Sequence, residues 1–128
     1  MSPTSDISPG EFELLKILWD LKTGSVADVR RTLKSKGRDL AYTTVMTLLG
    51  RLEKKGAVKV DKSEQPFRYR PLLKRRAVVK QRISKFVDAV FDGRADELAL
   101  HLLAQEGLSS SELERIEKLL DDDDGDES

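Results

Sequence analysis

The chain contains no cysteine, which excludes a disulfide framework and any thiolate metal site and makes a reducing compartment its natural setting. Histidine is almost absent too: His101 stands alone, and one imidazole cannot furnish a multi-ligand transition-metal site. Long apolar runs are missing. Nothing approaches the roughly 18 consecutive apolar residues of a membrane span, and the start of the chain, Met1 to Asp6, lacks the basic-then-apolar order of a secretory signal. These absences point to a cytoplasmic protein that does not insert into membranes and needs no metal or other cofactor.

Net charge is also missing, but only as a total. Residues 1–82 carry 19 Lys and Arg against 9 Asp and Glu, whereas residues 83–128 carry 4 against 14. A basic front and an acidic back suggest that the front alone meets a polyanion, because Lys and Arg gain affinity for nucleic-acid phosphates by releasing condensed counterions.

The 128 residues suffice for a compact reading head joined to a short accessory element. Ser8, Pro9 and Glu11 form a capping-box start with proline at the first helical position. Phe12, Leu14, Leu15, Ile17, Leu18, Trp19 and Leu21 then leave only a narrow polar strip, which predicts a helix covered on most sides. Ser25 caps a second, shorter helix carrying Val26, Val29 and Leu33 and ending at Gly37. A third spans Tyr42 to Gly56, with Val45, Leu48, Leu49 and Leu52 at i, i+3, i+4 and i+7, and with Lys54 and Lys55 in the last turn, where cations suit the helix dipole. The period then drops to two: Val58 and Val60 alternate with Lys59 and Asp61, and Phe67 and Tyr69 with Arg68 and Arg70, across a polar turn. Three helices followed by a β-hairpin are the order of a winged helix-turn-helix.

Helical periodicity returns after Pro71. Val79, Ile83, Phe86, Val87 and Val90 form a stripe ending near Gly93. A further helix from about Asp96 to Glu106 carries Leu98, Ala99, Leu102 and Leu103. The last opens on the spacing of Ser109 and Glu112 and carries Leu113, Ile116, Leu119 and Leu120. The expected organisation is a mainly α chain with a winged-helix domain over 1–73, a helical domain over 74–120 and an acidic, disordered tail over 121–128. Some 55 residues sit near the size below which a lone core rarely suffices. The stripes Val79, Ile83, Phe86, Val87, Val90, Leu98, Leu102, Leu103, Leu113 and Ile116 are therefore expected to find their cover in a second copy, although packing back on the first domain would also bury them.

The third helix bears the chemistry. Opposite its leucines stand Thr43, Thr47, Gly50 and Lys54, flanked by Thr44, Met46 and Arg51, and Tyr42 at the helix start is expected among the DNA-binding residues. Hydroxyls bond phosphates or base edges, methyl groups touch the thymine methyl, Arg51 suits phosphate or guanine, and Gly50 permits close approach. A purely solvated face would favour better helix formers than threonine and glycine. In the hairpin, Lys59, Lys62, Arg68 and Arg70 suit the flanking phosphates while Phe67 and Tyr69 anchor the wing. A second basic cluster, Lys74, Arg75, Arg76, Lys80 and Arg82, follows. No glycine-rich phosphate loop or nucleophile–histidine pair is present, so an enzyme is not expected. The competing reading is a winged-helix adaptor for another protein, which would carry an apolar or acidic third-helix face.

The run from Ala41 to Gly56, AYTTVMTLLGRLEKKG, resembles the recognition-helix signature of the bacterial penicillinase and methicillin-resistance repressors and of the related copper-responsive repressors. The likeness extends through Glu11 to Trp19 and the wing, and more weakly through the later helices. It implies a homodimeric repressor that binds double-stranded operator DNA, with Thr43, Thr44, Met46, Thr47 and Arg51 at base-reading and adjacent phosphate positions. Met46 stands where some members carry a longer polar or basic side chain. Copper-type members bear C-terminal cysteines that this chain lacks. Resistance-type members are relieved through a sensor-linked protease that leads to cleavage at an Asn-Phe bond, and the matching position here is His101 and Leu102.

Overall fold

A computed structural model describes residues 7–106 and 109–121, with the backbone alone at 105, 106, 113, 116, 117 and 119–121. Helix α1 spans Pro9–Leu21. The Ser8 hydroxyl accepts from the Glu11 amide at 3.1 Å, and the Glu11 carboxylate accepts from the Ser8 amide at 3.0 Å, so two donors left over at a helix start are satisfied reciprocally. Helix α2, Val26–Ser35, begins with the same exchange between Ser25 and Asp28. Gly37 follows it at φ 87°, where a side chain would be strained. Helix α3, Tyr42–Lys54, differs, because Ala41 is its N-cap and no side chain caps it.

The three helices bury Leu14, Leu15 and Leu18, Val29 and Leu33, and Val45, Leu49 and Leu52 against one another. Each such side chain contributes roughly 1.5–3 kcal/mol by leaving water. Leu21, expected within the covered stripe, is instead exposed. It is the last residue of α1, and the chain turns away immediately after it through Lys22 at φ 73°.

Strands β1, Val58–Asp61, and β2, Arg68–Pro71, pair antiparallel with Val60 opposite Tyr69 and Lys59 opposite Arg70. Phe67 lies one residue ahead of β2 rather than within it. Tyr69 also exchanges both backbone hydrogen bonds with Gly24, at 2.7 and 3.0 Å, so the segment between α1 and α2 acts as a one-residue third strand. The segment after the hairpin returns to α1. The Trp19 indole donates to the Leu73 carbonyl at 2.9 Å, and the Arg75 guanidinium lies 5.3 Å from the Trp19 ring and 3.0 Å from the Asp20 carboxylate. This is a winged helix-turn-helix.

The chain divides between Arg75 and Arg76 into two compact units. The second holds most of helix α4, Arg75–Phe91, together with α5, Ala95–Glu106, and α6, Ser110–Asp121. Gly93 at φ 83° lies between α4 and α5, and Ser109 and Glu112 cap α6 with the reciprocal bonds their spacing predicts. Asp121 closes α6 rather than opening the tail, and residues 122–128 of the expected disordered segment lie outside the described residues. Among the described residues no helix is long and apolar enough to cross a membrane.

Candidate nucleic-acid interface

Helix α3 is two-sided. Val45, Leu49 and Leu52 are fully buried and Leu48 is half-buried, while Thr43, Thr44, Met46, Thr47, Arg51 and Lys54 are exposed. Tyr42 and Met46 keep 48% and 46% of their surface in solvent, a large apolar area to leave uncovered on a helix otherwise well packed. A Cβ placed on Gly50 would meet nothing within 4 Å, so its openness is a property of the surface, not a packing requirement. Threonines in helices often turn their hydroxyl onto the preceding turn, as Thr32 does with the Asp28 carbonyl at 3.0 Å. The hydroxyls of Thr43, Thr44 and Thr47 make no such bond to any described residue, and neither Arg51 nor Lys54 has an ion pair there. The whole outer face thus retains its hydrogen-bonding capacity.

The helix is held in place by a buried charge. The Lys55 ammonium reaches the Glu11 carboxylate at 2.6 Å, although Glu11 is almost wholly shielded from water. Burial pushes the Glu11 carboxyl up, but the Lys55 hydrogen bond, then the Ser8 amide, outweigh it and hold it below its ordinary value. Lys55, expected to suit the helix dipole and standing at the C-cap of α3, also fastens the end of α3 to the start of α1.

In the wing, Lys59 and Arg70 lie directly opposite each other and both are exposed. Asp61 is held below its usual value first by the Ser63 hydroxyl and amide, and then by these two cations. Lys62 sits 5.9 Å from the half-buried Phe67 ring. Burial of Tyr69 raises its phenol pKa, in keeping with an anchor. Arg68, grouped by sequence with the phosphate-holding cations, is partly engaged by the protein itself: it lies 3.6 Å from Asp28 and 3.4 Å from the Thr23 carbonyl, because the Gly24–Tyr69 bridge brings β2 against the start of α2. Arg75 of the later basic cluster is likewise engaged, by Trp19 and Asp20.

Three cations went unnoticed in the sequence: Arg30, Arg31 and Lys34 of α2 line a shallow groove with Ala27 and Tyr42. Their i, i+1, i+4 spacing was the available signal. Arg30 donates from Nε to the Leu40 carbonyl at 2.9 Å, and Arg31 reaches Asp28 at 3.2 Å.

The expected association residues fall in the second unit. Val87 is buried, Val79, Ile83, Leu98 and Leu102 are half-buried, and Phe86, Val90 and Leu103 are exposed, as is Leu100, which the stripe reading omitted. Val78, also omitted, is fully buried. The side chains of Leu113 and Ile116 lie outside the described residues. His101 is exposed in the middle of α5, its ring 5.4 Å from that of Phe91, which in turn meets Phe86 edge-on at 6.0 Å. Among the described residues no group of His, Asp or Glu is arranged to hold a metal ion.

A family model described as penicillinase repressor matches residues 7–122. The methicillin resistance regulatory protein MecI of Mammaliicoccus sciuri is 29% identical over 117 residues, covering 91% of this chain and 94% of that protein. The penicillinase repressor of Bacillus licheniformis is 26% identical over 122 residues, covering 95% and 94% respectively. The solution structure of the DNA-binding domain of the repressor BlaI superposes with a TM-score of 0.51 at 32% identity, over 59% of this chain and 90% of that domain.

Proposed function

The chain belongs to the penicillinase repressor family, and from that premise we propose that it represses transcription in the cytoplasm as a homodimer bound to a dyad-symmetric operator. Its relatives carry the names of repressors and of resistance regulators, not of enzymes. The observation that carries the reading is the outer face of α3, whose hydroxyls, methyls and cations are exposed and uncommitted while its aliphatic side is buried. Thr43, Thr44, Met46, Thr47 and Arg51 meet base edges and neighbouring phosphates in the major groove, and Tyr42, Lys54 and Lys62 meet the backbone beside it. Arg68 serves as a brace between wing and α2 rather than as a phosphate contact.

Residues 1–75 form the reading head and the helices after it the association element. The uncovered Phe86, Val90, Leu100 and Leu103 supply the apolar surface that a second copy buries. A two-fold dimer sets its two α3 helices on half-sites whose centres lie about one helical turn, or a small multiple of it, apart. Repression is relieved by a sensor signal, with the bond between His101 and Leu102 as the candidate cleavage point; a protease would reach it through local opening of α5.

Selection of bound fragments from random DNA tests this directly, and an inverted repeat is the expected result. Thr47→Ala should then weaken binding to that repeat by about 1–3 kcal/mol for each base the hydroxyl reads and relax preference at one position of each half-site. Recovery of fragments without dyad symmetry, or a Thr47→Ala protein with unaltered affinity and preference, contradicts the assignment.

A further inference from the structure

Resting on the DNA-binding reading above, we propose that the groove between α2 and α3 is a phosphate seat, in which Arg31, Lys34 and Tyr42 grip the duplex backbone beside the groove read by α3 while Arg30 holds the seat in shape. The lining is Ala27, Arg30, Arg31, Lys34 and Tyr42: three cations, one phenol, one methyl group and no carboxylate. A concave surface with that lining concentrates positive potential.

The four polar members are not equivalent. Arg30 is half-buried, and its Nε is committed to the carbonyl of Leu40, two residues ahead of α3. A guanidinium is planar, so fixing one edge fixes the direction of its remaining donors. Arg30 therefore ties α2 to the approach of α3 and shapes the seat. Arg31 is 72% exposed in its side chain and among the described residues pairs with one oxygen of Asp28, whose other oxygen accepts from the Ser25 amide. Lys34 and the Tyr42 hydroxyl are exposed and have no partner among the described residues. Lys34 lies one helical turn beyond Arg30 and Arg31, about 5 Å along the axis, and Tyr42 closes the far wall from the first turn of α3. That turn holds no acidic residue and is uncapped by any side chain, so nothing there opposes an anion.

Charge and place decide the occupant. Tyr42 belongs both to the seat and to the outer face of α3, so a duplex lying on that face carries its backbone over the groove. Phosphate contacts of this kind position a protein without reading sequence. They also leave a quantitative mark, since each phosphate neutralised contributes about 0.9 to the slope of log affinity against log salt.

The experiment is titration of the full-length protein and its Arg31→Ala/Lys34→Ala variant, across a salt series, against the selected operator and an unrelated duplex. Both side chains are exposed, and a thermal melt verifies that the variant folds. The expected result is a similar fold-loss of affinity for both duplexes, a salt slope shallower by about 2 and an unchanged sequence preference. Tyr42→Phe, which removes a neutral donor, should weaken both complexes and leave the slope as it was. An unaltered slope in the double variant while the wild type still prefers its operator overturns the seat and leaves the repressor reading standing. Lost sequence preference with an unaltered slope moves these residues to base reading and also overturns it. Tighter DNA binding by the variant likewise overturns the seat. A wild type that binds no duplex overturns both the seat and the function it rests on.

Discussion

Single residues bear on how firmly α3 is presented, and Glu11 is one whose role reaches beyond its own helix. The spacing of Ser8 and Glu11 made its capping role legible, because a cap is a local event. Its second role was not, since Lys55 is 44 positions away and no local pattern announces an ion pair between the ends of two helices. Removing one member of a buried pair strands the other as an uncompensated charge. Lys55→Met should therefore destabilise the winged unit by about 1–3 kcal/mol, below the roughly 3–5 kcal/mol of a fully buried pair because Lys55 keeps some exposure to water. Urea melts of the two proteins measure the difference. The same pair predicts a pH response of definite sign. Glu11 is held below its ordinary value, so its contribution is complete above the ordinary carboxyl range and disappears as the pH falls through the lower folded-state value. Glu11→Gln should flatten that part of the acid unfolding curve, and a curve as steep as the wild type's would remove Glu11 as its source.

At the scale of elements, periodicity was an adequate guide to what forms and a poor guide to where each charge points. The change from a 3.6-residue to a 2-residue repeat located the wing to within a residue, with Phe67 just ahead of β2. Alternation placed Arg68 and Arg70 on one face and could not separate them, whereas the Gly24–Tyr69 bridge draws Arg68 toward Asp28 and leaves Arg70 opposite Lys59. Like charges directly opposite on a hairpin are destabilising, and a polyanion laid across Lys59 and Arg70 would relieve the repulsion. Two different outcomes follow for two arginines two residues apart. Arg70→Ala should leave the melting temperature unchanged or slightly raised and make the salt slope of DNA binding shallower by about 0.9. Arg68→Ala should lower the melting temperature and leave the slope alone. Melts and a salt titration on the same two proteins check both, and a slope change at Arg68 would return it to the phosphate-contacting set.

Over the whole molecule, charge is sorted along the chain. The basic excess lies ahead of residue 83 and the acidic excess behind it, while the most exposed aliphatic side chains of the later helices, Val90 and Leu100, keep 55% and 61% of their surface exposed. The sequence made the stripe on α4 legible but not which of its members stay uncovered: Val87 is buried where Phe86 and Val90 are not, and Val78 and Leu100 entered no stripe at all. Periodicity reports a face, whereas exposure depends on which neighbours arrive. An acidic surface favours solubility and rejects DNA, and the exposed aliphatic residues set among such charges are where the proposed dimer would close. Aspartate at both Val90 and Leu100 distinguishes the two cases. On a permanently solvated surface such changes fall within about 0.5 kcal/mol and alter neither mass nor binding. At an interface between copies they place four unpaired carboxylates in an apolar setting. The Val90→Asp/Leu100→Asp protein should then sediment as a monomer with its winged unit still folded, and its operator affinity should fall steeply, because each head binds without the effective concentration its partner supplies. A double variant that remains dimeric would show that the association surface lies elsewhere on the later helices.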